Sequence, residues 1–331
     1  MLDTQIQKVN EIKVPATASE RFTTKVMAEY GSGVGEIALT DFQKRLVQNY
    51  FIAIDVALKA AEIKRLKTLK YSKDDADKNP LPITWENVAM DTLARNVVAV
   101  ARVGLDPAQS NHVNMIPFKN NNISKYDIVF IDGYRGIELK ACKYGLDIPD
   151  SIIVELVYST DKFKPLKKDR NNKYESYELD IVNPFDRGDV IGGFYYHVYS
   201  VNPEKNKLVI MSMKDIEKRK PKYASAEFWG GEKDVYENGK KTGKKEKVEG
   251  WFEQMCHKTI YRAAYKDITI DSQKIDDDYL KLKQIENTYI EESIESEIQE
   301  NANKEVIEIV TDDKKEYQDV EIEPQAKGPG F

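Results

Sequence analysis

The chain has 331 residues, 41% apolar and 32% charged, with 12 Pro and 17 Gly; this suffices for one large domain with a packed core and excludes a low-complexity protein. No run reaches the roughly 18 apolar residues that span a bilayer, and the opening MLDTQIQKVNEIKV has no apolar stretch of signal-peptide type, so the expected compartment is the cytoplasm, without membrane attachment. The net charge of −6 hides two opposed parts: residues 271–331 hold 18 acidic against 7 basic side chains, leaving 43 basic against 38 acidic before them, so an acidic whole does not exclude a polyanion ligand.

Residues 1–38 lack sustained periodicity and contain YGSGVGE (Tyr30 to Glu36), which reads as a flexible arm. Thr40 then caps a helix in which Phe42, Leu46, Phe51, Ile54, Val56, Leu58 and Ile63 recur at helical intervals. YSKDDADKNPLP breaks it, and Thr84 opens a second helix with Val88, Leu93, Val97 and Val100 inward, ending near Gly104. Two alternating runs, His112–Phe118 and Tyr126–Ile131, flank KNNNISK and predict a β-hairpin. A helix from Tyr134 stops at Gly145, and strand-like runs follow at Ser151–Ser159, Tyr174–Val182, Val190–Val201 and Lys207–Met213. A short helix from Met213 to Lys222, a Gly- and Lys-rich loop from Gly230 to Gly250, and a helix from Trp251 to about Lys266 complete the body.

The pattern predicts an α+β fold: an antiparallel β-sheet of five or six strands with packed helices. Three parts are expected: an N-terminal arm (1–38), a core (39–270) and an acidic C-terminal region (271–331) that is helical from Tyr279 to Glu300 and disordered after it.

Few residues suggest bond-making chemistry. YGSGVGE lacks the Lys-Ser/Thr of a phosphate loop, so a hinge is the better reading and ATP has no visible site. Cys142 and Cys256 read as reduced, partly buried thiols, and His112, His197 and His257 form no metal-ligand pair. Asp127, Asp132 and Glu155 lie on predicted strands, where two-metal nucleases carry their acids and where ordinary charged strand rims also occur.

Cations are more informative. In the Trp251–Lys266 helix, Phe252, Cys256, Thr259, Ile260 and Ala263 form an inward stripe, while Trp251, Met255, Lys258, Arg262 and Lys266 share an adjacent face. Three cations in successive turns suit a phosphate backbone, although a solvated basic flank has the same pattern. Basic residues also gather at Lys218, Arg219, Lys220 and Lys222 and from Lys240 to Lys247, and Lys119 sits among Asn120, Asn121 and Asn122. The run Phe194, Tyr195, Tyr196, His197, Tyr199 offers at most two or three base-stacking positions, since alternation buries half of it.

Several segments, taken in order, resemble the RecT family of phage and prophage single-strand annealing proteins. They are GLDP (Gly104 to Pro107), HVNMIPFKN (His112 to Asn120), FIDGYRGIELKACKYG (Phe130 to Gly145), VYSTDKF (Val157 to Phe163), MSMKDIEKRK (Met211 to Lys220), the pair Phe228–Trp229 and WFEQMCHKTIYRAAYK (Trp251 to Lys266). The resemblance covers about Thr84 to Thr269. It departs where the family's final helix carries paired arginines, because Ala263 follows Arg262 here, and where the Lys-rich stretch follows Trp229.

The resemblance implies a protein that binds single-stranded DNA and anneals it to its complement without ATP or another cofactor, Mg²⁺ acting at most as a modulator. It implies ring or filament homo-oligomers, an annealed duplex product, a partner 5′→3′ exonuclease and contacts with host single-strand-binding protein. Carried over by position, Lys258 and Arg262 contact phosphates, and Lys119, Arg135, Lys218 and Arg219 line other parts of the groove. Tyr134 packs on a sugar or base, or else belongs to the core. The acidic region reads as a protein-interaction segment or a DNA mimic. A plain single-strand binder and a nuclease are the rival functions.

Overall fold

The computed structural model describes residues 15–32, 40–71, 79–221, 224–237 and 240–287. The chain divides into Met1–Asn287 and Thr288–Phe331, and every described residue lies in the first unit. The expectations for Lys222, for residues 1–14, 33–38 and 72–78 and for everything after 287 therefore fall outside the described residues. Among the described residues no helix is long and apolar enough to cross a membrane.

Helix α1 (Ala18–Ser32) opens on a reciprocal cap: the Glu20 N–H donates to the Thr17 hydroxyl (3.2 Å) and the Thr17 N–H to the Glu20 carboxylate (2.8 Å). Its Phe22, Val26 and Tyr30, spaced four apart, are buried. This corrects the reading of residues 1–38 as an arm throughout, because three apolar side chains on one stripe suffice once neighbouring helices cover them. Helix α2 (Asp41–Tyr71) starts on the same device at Thr40 and Gln43 and buries Leu46, Tyr50, Ile54 and Leu58. Phe42, Val56 and Ile63, counted in the same repeat, lie on its exposed face.

Thr84 opens only a 3₁₀ turn, Trp85–Asn87. Val88 then bridges to Tyr126, whose carbonyl accepts the Ala89 N–H at 2.9 Å, so helix α3 (Met90–Val103) begins later than the pattern suggested. Gly104, at φ +102°, ends α3 in the left-handed region that glycine adopts without a Cβ penalty. Helices α1 to α3 share one core with the hairpin β1 (Val113–Asn120) and β2 (Lys125–Asp132). The hairpin pairs Val113 with Asp132 and Asn120 with Lys125, and the Asn122 N–H donates to the Asn120 side chain to shape its turn. Helix α4 (Tyr134–Tyr144) follows at once.

The central sheet has the order β3 (Ser151–Tyr158), β6 (Val190–Val198), β7 (Lys207–Ser212), all antiparallel. A second hairpin, β4 (Lys162–Leu166) with β5 (Ser176–Asp180), places Phe163 and Tyr177 against Phe194 and Tyr196 on one face of that sheet. Helices α5 (Met213–Glu217), α6 (Ala226–Trp229) and α7 (Phe252–Lys266) pack on the other face through Ile216, Trp229 and Ile260. With both faces covered, Phe194, Tyr195, Tyr196 and His197 are all buried. These four residues are core, which corrects the expected availability of the run for stacking; Tyr199, its last member, is half-buried.

The α+β class and the antiparallel pairing hold, and among the described residues the strands lie in four small sheets. The segment expected as a Gly- and Lys-rich loop is a further hairpin, β8 (Gly231–Glu237) with β9 (Lys240–Val248), in which Lys245 reaches Glu232 across the strands at 2.7 Å. Alternating charges of opposite sign there do what apolar pairs do elsewhere. The core also extends past residue 270: residues 277–287 are helical and bury Tyr279 and Leu282, with the Tyr279 ring 4.5 Å from that of Tyr144.

Candidate nucleic-acid interface

Helix α7 organises the cation-rich surface. It seats Cys256, Ile260 and Ala264 fully against the sheet, with Phe252 half-buried beside them, and Thr259 and Ala263 stand at the flank of that stripe. Close seating requires Gly193 on β6, where a Cβ would lie 2.4 Å from the Ile260 side chain and 2.5 Å from the Glu155 carbonyl. Burial pushes the Cys256 thiol up to about 11, whereas Cys142 is exposed rather than partly buried.

Two clefts flank the outer ridge of α7, and Met255 and Lys258 belong to both. The first, about 730 Å³, is lined by Lys258, Arg262 and Lys266 from α7 and by Arg219 from the turn after α5. Ser212 and Asp215 hold the start of α5 in a reciprocal cap, and Arg219 donates to the Met211 sulfur at 3.2 Å. Asp267 is the acid of this cleft, and it is already engaged by Lys207 (2.6 Å) and by the Tyr195 hydroxyl (3.0 Å). Among the described residues no carboxylate pairs with Lys258, Arg262, Lys266 or Arg219. Partial burial, and then the Arg262 guanidinium, hold the ammonium groups of Lys258 and Lys266 below their ordinary range. Such a field is relieved by an anion.

The second cleft, about 590 Å³, lies between α7 and the start of α4. Its far wall is the Gly133–Tyr134–Arg135–Gly136 turn. The Asn111 carbonyl accepts the Arg135 N–H (3.1 Å), and the His112 carbonyl accepts the Gly133 N–H (2.9 Å). This strand of backbone passes so close that a Cβ at Gly133 would stand 1.8 Å, and one at Gly136 2.1 Å, from these carbonyl oxygens. Both glycines are thus dictated by the approach, and the turn between them presents Tyr134 and Arg135 outward. The Tyr134 ring meets Tyr261 edge-on at 5.2 Å, and Lys258 Nζ lies 5.9 Å from the Tyr134 centroid.

Of the sequence-predicted residues, Arg219, Lys258 and Arg262 meet in the first cleft, and Tyr134 and Arg135 join Lys258 in the second. Lys119, exposed on the β1–β2 hairpin, and Lys218, exposed beside Arg219, line neither. Sequence reasoning missed Tyr158, His257 and Tyr261, which line the second cleft. The spacing of Tyr261 three residues after Lys258 was the available signal for one of them.

The three strand acids do not converge. Asp127 accepts from Asn120 (2.7 Å), Asp132 pairs with Lys140, and Glu155 lies in a different sheet. Among the described residues no three His, Cys, Asp or Glu side chains come together as metal ligands.

The RecT family model matches residues 78–306, most of the chain. No curated protein and no solved structure matches it.

Proposed function

Because the chain belongs to the RecT family of phage-type single-strand annealing recombination proteins, we propose that it lays single-stranded DNA along α7 and pairs it with a complementary strand without ATP. The observation that carries this reading is the row Lys258, Arg262, Lys266 with Arg219, which faces an open cleft without a carboxylate partner among the described residues. Annealing is slowed by the mutual repulsion of two polyanions and by strands folding on themselves. Cations that neutralise phosphates relieve the first, and a fixed, extended backbone removes the second. Base pairing then supplies both specificity and roughly 1.4 kcal/mol per step, so neither nucleotide hydrolysis nor a bound cofactor is needed, and Mg²⁺ acts only by screening.

In this reading the protein works in the bacterial cytoplasm as a homo-oligomer, ring or filament, that continues the cationic track from copy to copy. It receives strands from a 5′→3′ exonuclease, displaces host single-strand-binding protein, and releases annealed duplex. The test is the annealing rate of two dye-labelled complementary oligonucleotides with Mg²⁺, without ATP, at two salt concentrations. Acceleration with both strands intact is expected. Binding without acceleration would instead indicate a protective binder, and shortened strands a nuclease.

A further inference from the structure

The two clefts beside α7 differ in chemistry. The first offers cations, and its aromatic side chains Tyr195 and Trp229 are buried. The second offers four aromatic rings at its surface, those of Tyr134, Tyr158, His257 and Tyr261, none of them fully buried. Asn111, Gln254 and Arg135 line the same cleft. A phosphate can accept from an amide N–H or a guanidinium but gains nothing from aromatic rings. A nucleobase has use for both, through its π-face and its polar edge.

Hydrogen bonding within the cleft sharpens the contrast. Tyr158 is fixed by Glu253, which accepts from its hydroxyl at 3.1 Å, and by Arg187, whose guanidinium lies 4.1 Å from its ring centroid. Tyr261 is fixed by Glu138 at 2.7 Å. The Tyr134 hydroxyl and the side chains of Asn111, Arg135 and Gln254 have no hydrogen-bond partner among the described residues, although every one of them lines the cleft. Rigid rings therefore frame a set of free polar groups, and the volume of about 590 Å³ lies within the range of small-ligand sites.

We infer that this cleft is a nucleobase subsite, in which Tyr134 stacks on one base of the bound strand while Asn111, Gln254 and Arg135 meet its edge. The inference rests on the reading of α7 as a phosphate track, and Lys258, shared by both clefts, joins the two. One base held per protomer fixes the register of the strand, and the bases between protomers stay free to test a complement. Stacking makes the subsite tolerant of sequence, because every base has a π-face.

Two ligands separate this subsite from the track: an oligothymidylate, and an oligonucleotide of the same length with abasic residues throughout, which keeps the phosphates. With the full chain, Tyr134→Ala should weaken oligothymidylate binding roughly tenfold and leave the abasic ligand unchanged, while Tyr134→Phe should keep most of the affinity for both. In the unaltered protein, 2-aminopurine in the bound strand should be quenched, and Tyr134→Ala should relieve the quenching. Equal losses on the two ligands, or no loss on either, would overturn the subsite. Lys258→Ala and Arg262→Ala should weaken both ligands. If they weaken neither, it is the phosphate track that fails, and the Tyr134 comparison still reads the subsite by itself.

Discussion

The hydroxyl of Tyr261 donates to one carboxylate oxygen of Glu138 at 2.7 Å, and Tyr265, one turn later on α7, donates to the other at 3.0 Å. One carboxylate of α4 thereby holds two tyrosines of α7, and through Tyr261 it positions the wall against which Tyr134 leans. Removing the carboxylate leaves two half-buried hydroxyls without their acceptor, so Glu138→Ala should cost about 1–3 kcal/mol of stability. Combined with Tyr261→Phe the two losses should add to less than their sum, as measured by denaturant unfolding, because both delete the same bond. Strict additivity would deny the coupling.

The same pair makes a prediction about alkaline pH. Burial first, and then Glu138, push the Tyr265 hydroxyl up to about 12, and Tyr261 is raised further by burial and by its bonds to Tyr265 and Glu138. An unfolded tyrosine ionises near pH 10. A group whose folded pKa is raised contributes stability that is fully present below its unfolded pKa and lost as pH rises through the folded one. Melting temperature should therefore decline from about pH 10 towards about pH 12. In Tyr265→Phe the decline should be shallower, and identical slopes in the two proteins would remove Tyr265 from the effect.

Salt dependence distinguishes the cations. Lys258→Ala and Arg262→Ala should each reduce the slope of log K against log salt by about one unit, irrespective of DNA sequence. Arg219→Ala should do the same, since it faces the same cleft. Lys218→Ala, at the exposed neighbour outside both clefts, supplies the comparison. If Lys218 changes the slope as much as Arg262 does, the track runs over the α5 turn rather than along α7.

Much of this was legible because the strongest sequence signals were local and periodic. The α7 stripe, the hairpin flanking KNNNISK and the stop at Gly104 all follow from side chains within one element. What escaped depends on neighbours. Residues 18–32 offer only the cap between Thr17 and Glu20 and one narrow stripe, Phe22, Val26 and Tyr30, a weak pattern until α3 covers it. Phe194 to His197 alternate like a half-exposed strand, and only the β4–β5 hairpin, itself unseen at Lys162–Leu166, makes the second face a core. For the site, sequence gave charges but not their grouping. That Arg135 and Arg219 stand on opposite flanks of α7 is a matter of tertiary placement.

Residues 277–287 open the acidic region yet belong structurally to the core, and truncation should show it. Lys140 is buried beneath them, and burial opposes its charge, but Asp132 and Glu286 (2.6 Å) hold its ammonium protonated. A chain ending at residue 287 should melt like the full protein. One ending at 275 exposes the Tyr144 ring, removes the buried Leu282 and strips Lys140 of one of its two carboxylates, and should lose about 3–5 kcal/mol. Equal melting of the two truncated chains would show that this helix adds nothing to the core.

Glycine substitutions separate close approach from mere flexibility. At Gly133 an added Cβ would stand 1.8 Å from the Asn111 carbonyl oxygen, a backbone atom that cannot swing aside. Gly133→Ala should therefore displace the 111–112 segment, costing at least about 1–3 kcal/mol, and with it the outward presentation of Tyr134 and Arg135. Gly31 is the control. It lies in α1 with nothing within 4 Å of an added Cβ, so Gly31→Ala should stabilise by about 0.5–1 kcal/mol through helix propensity alone. Denaturant unfolding of the two variants reads both signs directly. A Gly133→Ala protein as stable as the parent would mean that the turn tolerates a shift of the Asn111 carbonyl, and the tight seat of Tyr134 beside α7 would lose its physical basis.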